Sequence, residues 1–161
     1  MTDPFVKFRK WFSIVKKKKS EDPTAFALGT VDENLQPQVR MVLLKKIDNH
    51  GFTFFTNINS GKGKQFLRNK KLSMCFYWES IDRQIRITGS GEVVGDNDSD
   101  IYFNSRPLGS KIGAWASNQS SEISSRNELK KNIIFYKKKF QNKNVPRPKH
   151  WVGIKIIASE F

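Results

Sequence analysis

Runs of β-branched and aromatic residues, separated by turn signals, constrain the fold of this chain more than any other feature. The predicted strands are 25–31, 38–47, 52–56, 72–78, 83–94 and 151–158. Asp48-Asn49-His50-Gly51 is typical of a hairpin turn, so the second and third strands are predicted to pair. Strands do not alternate with helices, and no G-x-G-x-x-G motif is present, which argues against a doubly wound nucleotide fold. The pattern predicts a mainly β fold with flanking helices (α+β), built on a β-barrel or barrel-like sheet.

Three helices are predicted beside this sheet. Asp3 followed by Pro4 is a helix start, and an apolar face repeats at spacings of three and four to give a helix over 4–18. That face consists of Phe5, Phe8, Phe12 and Val15. Ser60 opens a short helix. Ser125 and Glu128 form a capping-box pattern that begins a second long amphipathic helix.

Length, charge and cysteine content limit the classes of function. The 161 residues suit one domain, expected over 1–161 with its barrel core over about 25–158. Cys75 is the only cysteine and lies in an apolar run, which predicts a buried thiol, no intrachain disulfide and a cytoplasmic setting. No stretch approaches the roughly 18 apolar residues of a membrane span, so no membrane partner is expected.

The net charge of +14 comes from 29 Lys and Arg against 15 Asp and Glu. Much of the excess lies in the lysine runs 16–19 and 137–139, which are typical of solvated helix surfaces. A nucleic-acid surface would interleave arginine and exposed aromatic residues along a basic stripe. We therefore expect no nucleic-acid partner, although charge by itself leaves open phosphorylated small molecules.

Metal and hydrolytic chemistry have little support. His50 and His150 are the only histidines, and neither has metal-ligand spacing to the single cysteine. No nucleophile elbow is present, and neither histidine has a sequence-level triad partner. The expected site is therefore one without a metal.

The stretch 104–121 fits no apolar period but is rich in groups that bind anions. Arg106 offers a bidentate fork, and Ser110, Gln119 and Ser120 are neutral donors. Composition leaves two interpretations of this stretch, a phosphate-binding segment or a solvated polar loop.

A second centre of positive charge lies on the second predicted strand. Alternation places Arg40, Val42 and Leu44 on one face and Met41, Leu43 and Lys45 on the other. Thr56, Ser60, Lys62 and Lys64 follow the next strand and are donors suited to a phosphate cradle at a helix start. The alternative is that both strand cations are edge charges facing solvent.

Five motifs in this order resemble the pyridoxine (pyridoxamine) 5′-phosphate oxidase family. The matching segments are Arg40-Met41-Val42-Leu43-Leu44-Lys45, Phe55-Thr56-Asn57 with Ser60 and Lys62, Arg83-Gln84, Tyr102-Phe103-Asn104-Ser105-Arg106-Pro107, and Ser110 to Trp115 with Gln119-Ser120-Ser121. The resemblance covers nearly the whole chain. It implies the FMN-binding split β-barrel, a homodimer with FMN at the subunit interface.

The resemblance also implies roles for individual residues. The implied FMN-binding residues are Arg40, Met41, Val42, Leu43, Leu44, Lys45, Phe55, Thr56, Lys62, Gln84, Gln119 and Ser120. The implied residues for the substrate phosphate are Lys45, Tyr102, Arg106 and Ser110. The implied reaction is oxidation of pyridoxine or pyridoxamine 5′-phosphate to pyridoxal 5′-phosphate, in which O₂ reoxidises FMN and yields H₂O₂. No residue is singled out as catalytic.

The chain departs from the family pattern at its end, at Gly61, and at Phe55, which stands where a tyrosine is frequent. Family members continue past the last strand into a tryptophan and an Arg-Leu-His-x-Arg segment, whereas this sequence stops at Phe161. Gly61 stands where a second phosphate-binding cation is common. Three alternatives follow for the first departure: a fragment of a longer product, a shortened protein that binds FMN or pyridoxal phosphate without turnover, or an enzyme closed by another chain.

Overall fold

Seven strands, five α-helices and one 3-10 turn make up residues 3–161, which are the residues that this computed structural model describes. The helices are α1 (Pro4–Lys18), α2 (Gly61–Arg68), α3 (Asp96–Ser105), α4 (Leu108–Ala116) and α5 (Arg126–Lys139), and the 3-10 turn is Glu79–Ile81. The strands are β1 (Ala25–Val31), β2 (Pro37–Leu43), β3 (Lys46–Ile47), β4 (Gly51–Asn57), β5 (Lys71–Trp78), β6 (Arg83–Val93) and β7 (Trp151–Glu160). The strands form one sheet in the order β2-β1-β5-β6-β7-β4-β3.

The chain divides into two compact units. The first consists of 1–54, 65–92 and 154–161, and the second of 55–64 and 93–153. Strands β4 and β7 each run from one unit into the other.

Aromatic side chains form the core of the first unit. Phe8 of α1 contacts Phe52, Phe76 and Trp78, with ring centroids 4.9 to 5.4 Å apart. Phe26 of β1 packs 5.1 Å from Phe76. The predicted apolar face of α1 is confirmed, since Phe8 and Val15 are fully buried, and Asp3 caps the helix by accepting a hydrogen bond from the Phe5 N–H at 2.8 Å.

The predicted second strand is broken in two, which is a correction to the sequence analysis. β2 pairs with β1 along its length, with Leu43 opposite Ala25 at one end and Pro37 opposite Val31 at the other. Of the predicted strand, only Lys46 and Ile47 pair with β4. The partner changes at two residues: the Leu44 N–H donates to the Thr24 carbonyl, and the Lys45 N–H donates to the Thr53 carbonyl, both at 2.8 Å. The two outermost strands of the sheet are therefore consecutive in the chain.

The pairing of the later strands is as predicted. β5 and β6 are antiparallel, with Met74 opposite Ile87 and Phe76 opposite Ile85. Cys75, however, is not fully buried. It lies on the opposite face of β5 from Leu72, Met74, Phe76 and Trp78, because neighbouring residues of a strand point to opposite faces.

Two further expectations were wrong in detail. The stretch 104–121 is largely helical, since α3 ends at Ser105 and α4 covers Leu108–Ala116. Ser125 makes no side-chain cap on α5. The Glu128 carboxylate instead accepts hydrogen bonds from the N–H and hydroxyl of Ser124, at 2.9 and 2.8 Å.

We predict that Gly89→Ala destabilises the protein and that Gly109→Ala does not. A Cβ at Gly89 would overlap with the backbone carbonyl of Ile157, which is part of a neighbouring strand and cannot move aside cheaply. A Cβ at Gly109 meets nothing within 4 Å, and alanine is the better helix former. In thermal unfolding, the melting temperature of Gly89→Ala should be several degrees below that of Gly109→Ala. This corresponds to a difference on the order of 2 kcal/mol in the free energy of unfolding. Equal melting temperatures would contradict the prediction.

Candidate functional site

Arg40 in the first unit is held by neutral oxygen atoms. Its Nη1 donates to the Thr30 hydroxyl at 2.5 Å and to the Leu28 carbonyl at 3.2 Å, and its Nη2 donates to Gln65 Oε1 at 3.1 Å. Thr30 Oγ1 donates to the same Gln65 oxygen at 2.5 Å. Burial lowers the pKa of Arg40, and the described residues supply no carboxylate to pair with it. The solvent-facing alternative is therefore wrong for Arg40.

The predicted alternation along 40–45 is confirmed. Val42 is half-buried and Leu44 is buried, whereas Met41, Leu43 and Lys45 are exposed. Gln84 also lies on an exposed face, that of β6. Together with Val39, which is 69% exposed, Met41 and Leu43 form an apolar stripe on an outermost strand of the sheet.

Three parallel rings form the centre of the second unit. Phe55 stacks on Tyr102 with a centroid distance of 4.3 Å and an interplanar angle of 15°, and on Trp151 at 5.0 Å and 7°. Tyr102 and Trp151 are themselves 6.0 Å apart and nearly parallel. A Cβ at Gly153 would lie 2.7 Å from the Phe55 ring, so the absence of a side chain there admits the stack.

Arg106 lies against this aromatic cluster. Its guanidinium carbon is 4.7 Å from the Trp151 ring centroid and 5.4 Å from that of Phe103. Its Nη1 is buried and has no hydrogen-bond partner among the described residues. Burial lowers the pKa of Arg106, and the neighbouring Tyr102 raises it by a smaller amount. A cation held on ring faces with an unused buried donor is suited to an incoming anion.

The other predicted donors for this anion lie close to Arg106 in the chain. Tyr102 is half-buried on α3, four residues before Arg106. Ser110 is exposed in the first turn of α4. One unit thus holds Tyr102, Arg106 and Ser110, whereas Lys45 belongs to the other.

The start of α2 forms a second donor group. Ser60 is fully buried, and its hydroxyl donates to the Asn57 carbonyl at 2.6 Å while accepting from Lys62 Nζ at 3.3 Å. Thr56 is buried at the end of β4. The first N–H groups of a helix have no partner within the helix, and its dipole favours an anion there.

Gln119 and Ser120 are exposed in the segment between α4 and α5. Ser120 adopts a left-handed backbone conformation, with φ of 66°. Its hydroxyl oxygen lies 4.0 Å from the position that a Cβ on Gly61 would occupy. The second unit thus brings Ser120 close to the start of α2.

Sequence reasoning missed the residues that support this arrangement. Trp151 was recognised only as the start of a strand, yet it contacts Phe55, Tyr102, Phe103 and Arg106. Thr30 and Gln65, which hold Arg40, were not identified either. For Thr30 the available signal was a polar residue within the apolar strand 25–31, and it did not indicate a partner, whereas Gln65 lies in a polar segment and gave no signal.

Two kinds of feature are absent from the described residues, 3–161: a metal-binding cluster and a membrane-spanning helix. They contain no group of three or more His, Cys, Asp or Glu side chains that could hold a metal ion. Among the same residues, no helix has the length and apolar character needed to cross a membrane.

Comparison with known proteins identifies relatives over nearly the whole chain. A family model described as pyridoxamine 5′-phosphate oxidase matches residues 16–134. A pyridoxine/pyridoxamine 5′-phosphate oxidase of Pelagibacter ubique is 49% identical over 160 residues, covering 99% of this chain and 77% of the relative. The corresponding protein of Agrobacterium fabrum is 47% identical over 161 residues, covering 99% and 78%.

Two solved structures share the fold. PhzG from Burkholderia lata, in complex with tetrahydrophenazine-1-carboxylic acid, has a TM-score of 0.92 at 23% identity and covers 98% of this chain and 77% of its own. A pyridoxamine 5′-phosphate oxidase-related, FMN-binding protein from Nostoc punctiforme has a TM-score of 0.74 at 11% identity, covering 98% and 82%. At these identities the similarity shows the fold alone.

We predict that, in protein loaded with FMN so that the start of α2 is occupied, Arg106→Met abolishes binding of inorganic phosphate without destabilising the fold. The wild-type guanidinium is desolvated without a counter-charge, so its removal relieves a cost while it deletes the anion donor. Phosphate should raise the melting temperature of the wild type and leave that of the variant unchanged. Arg126→Met, at an exposed arginine of α5, is the matched control and should respond like the wild type. Equal stabilisation of all three proteins by phosphate would contradict the role of Arg106.

Proposed function

The chain belongs to the pyridoxamine 5′-phosphate oxidase family, and from this premise we propose that it oxidises pyridoxine or pyridoxamine 5′-phosphate to pyridoxal 5′-phosphate with FMN, O₂ serving as acceptor and H₂O₂ being released. The observation that carries the proposal is the guanidinium of Arg106. Its Nη1 is buried and has no hydrogen-bond partner within residues 3–161, and the guanidinium lies on the Trp151 ring. Such a cation is suited to binding a phosphate dianion.

Tyr102, Arg106 and Ser110 provide three kinds of donor for the substrate phosphate: a phenol, a guanidinium and a hydroxyl. The Phe55–Tyr102 stack restrains the phenol, because a ring stacked on another at 4.3 Å has little rotational freedom. Fixed donors orient the ligand as well as bind it, which is the contribution the protein makes when a cofactor does the chemistry. Lys45 is proposed as a fourth donor on the strength of the family relationship alone.

The residues present also fit FMN. The start of α2 offers Lys62 and the first N–H groups of the helix for the FMN phosphate, while the buried Ser60 hydroxyl holds the turn by accepting from Lys62 and from the Gly63 N–H. Arg40 carries an uncompensated charge whose orientation is fixed by Thr30, Leu28 and Gln65. When bound, FMN would accept a hydride from C4′ of the substrate. The chain's residues would hold the two rings together and exclude water from between them.

Association of two copies is part of the proposal. The apolar stripe formed by Val39, Met41 and Leu43 on β2 lies on the same face of the sheet as the exposed Tyr77 of β5, with β1 between the two strands. Isolated exposed apolar residues are common on soluble proteins, but a continuous stripe on an outer strand favours a protein contact. We propose that a second copy covers this stripe, with FMN bound where the copies meet.

Anaerobic spectroscopy tests the reaction. The FMN-loaded protein should lose its yellow colour when pyridoxamine 5′-phosphate is added without O₂, and regain it when O₂ is admitted. Pyridoxamine without the phosphate should bleach it far more slowly, since it lacks the group that Arg106 binds. A protein that holds FMN but is not bleached would contradict the oxidase proposal and would favour a binding protein without turnover.

The dimer is tested by Val39→Glu. Placing a charge on the stripe should shift the molar mass in sedimentation equilibrium towards the monomer, because the carboxylate would have to be buried without a partner. Leu35→Glu is the matched control, since Leu35 is 78% exposed in the turn between β1 and β2. A Val39→Glu protein that sediments as the wild type would exclude this stripe as the contact.

A further inference from the structure

Arg147 is nearly buried and makes three contacts in the second unit that no step of the proposed reaction uses. Its side chain is 9% exposed. Nε donates to the Asp100 carboxylate at 2.5 Å, Nη2 to the Asp96 carboxylate at 2.6 Å, and Nη1 to the backbone carbonyl of Trp151 at 2.8 Å. One planar group therefore joins α3 to the first residue of β7.

The two elements joined by Arg147 are those that shape the phosphate pocket. α3 carries Tyr102 near its end and is followed directly by Arg106. β7 begins at Trp151, whose ring lies under the Arg106 guanidinium and parallel to Tyr102. The position of β7 relative to α3 thus decides whether the ring supports the cation.

A second link between the same elements is weaker. The Gly153 N–H donates to the hydroxyl of the buried Ser99 at 3.3 Å. A neutral bond of that length constrains less than a guanidinium fixed at three nitrogen atoms. The Trp151 N–H donates to the Pro148 carbonyl, within its own segment, at 2.9 Å. Tyr102 and Phe103 of α3 pack on the Trp151 ring, and Arg147 supplies the strongest of the described polar links between α3 and Trp151.

We propose that Arg147 is a positioning residue for recognition of the substrate phosphate, acting through Trp151 on Arg106. This rests on the proposed function, because it concerns the same pocket. Arg147 would touch neither substrate nor FMN. By fixing the Trp151 backbone to Asp96 and Asp100 it keeps the ring at the face of Arg106, and it keeps the unused Nη1 of Arg106 oriented to meet the phosphate.

The charges around Arg147 are consistent with a fixed role. Burial by itself would lower the pKa of Arg147, but the hydrogen bonds that it donates to Asp100 and Asp96, together with their negative charges, outweigh burial and raise it. Asp96 is 90% exposed and Asp100 is 51% exposed. If Arg147 were removed, water would hydrate both carboxylates. The main loss would therefore be the hydrogen bond that fixes the Trp151 carbonyl.

The test is a double-mutant cycle on the FMN-loaded protein, with dissociation constants measured for pyridoxal 5′-phosphate. Arg147→Gln should weaken binding about tenfold, and Arg147→Lys, which keeps the charge but only one nitrogen, should weaken it about threefold. In the Arg106→Met background, Arg147→Gln should cause no further loss. In turnover with pyridoxamine 5′-phosphate, the KM should rise while kcat changes by less than about twofold.

Arg68→Gln is the matched control. Arg68 lies in the first unit and is paired with Glu33 on the surface, and its loss should change neither the dissociation constant nor the KM. If Arg147→Gln does not fold, Arg147→Lys and Asp100→Asn carry the same cycle, because each weakens the link without removing it.

The outcomes separate the two proposals. Binding of pyridoxal 5′-phosphate that depends on Arg106 but is unchanged by every Arg147 variant would overturn the positioning role alone. Additive losses in the cycle would also overturn it, since they would mean that Arg147 acts independently of Arg106. A wild-type protein that does not bind pyridoxal 5′-phosphate would overturn the proposed function, and the positioning role with it.

Discussion

Two backbone hydrogen bonds, one at Leu44 and one at Lys45, are the constraint on which the sheet depends. They direct adjacent residues to different strands, Leu44 to the Thr24 carbonyl beside β1 and Lys45 to Thr53 of β4. Because only Leu44 and Lys45 separate β2 from β3, and each is held by a backbone hydrogen bond, the register of one outer strand fixes that of the other. A slip of one residue in β2 would exchange the two faces, turning Arg40 outwards and Met41 inwards. The position of a functional arginine is therefore a consequence of how the sheet is connected.

Three arginines are largely removed from solvent, and their positive charges are stabilised in different ways. Arg147 is paired with two carboxylates, and its pKa is raised. Arg40 has only neutral oxygen atoms around it, Arg106 has mainly ring faces, and burial lowers the pKa of both. The two arginines without carboxylates are the two that the sequence motifs indicated as ligand-binding. A buried charge without a carboxylate is costly in a ligand-free protein, and this cost supports our proposal that Arg40 and Arg106 bind ligands whereas Arg147 holds the structure together.

Local chemistry made much of the fold predictable. The Asp3 cap, the apolar face of α1 and the alternation along 40–45 depend on neighbours in the sequence, and the structure confirms them. The break after Leu43 was missed because it depends on partners, β1 and β4, that are distant in the chain. α4 was missed because its glycine and serine residues hide its apolar side, where Ile112 and Ala116 are buried. Arg106 could be identified from its residue type and motif. The lack of a described partner for its Nη1 and its contact with the Trp151 ring depend on the tertiary structure, which the sequence pattern does not reveal.

The position of β7 within the sheet has a consequence for synthesis. β7 lies between β6 and β4, although more than fifty residues and three helices separate it from β6 in the chain. While a ribosome is still making those helices, β4 and β6 have unpaired edges in the middle of the sheet. Such edges bind other extended chains, so a stalled or slowly translated protein is exposed to aggregation at that stage. Folding of this protein is thus tied to the synthesis of β7, and the strand that carries Trp151 also removes two edges that are open to aggregation.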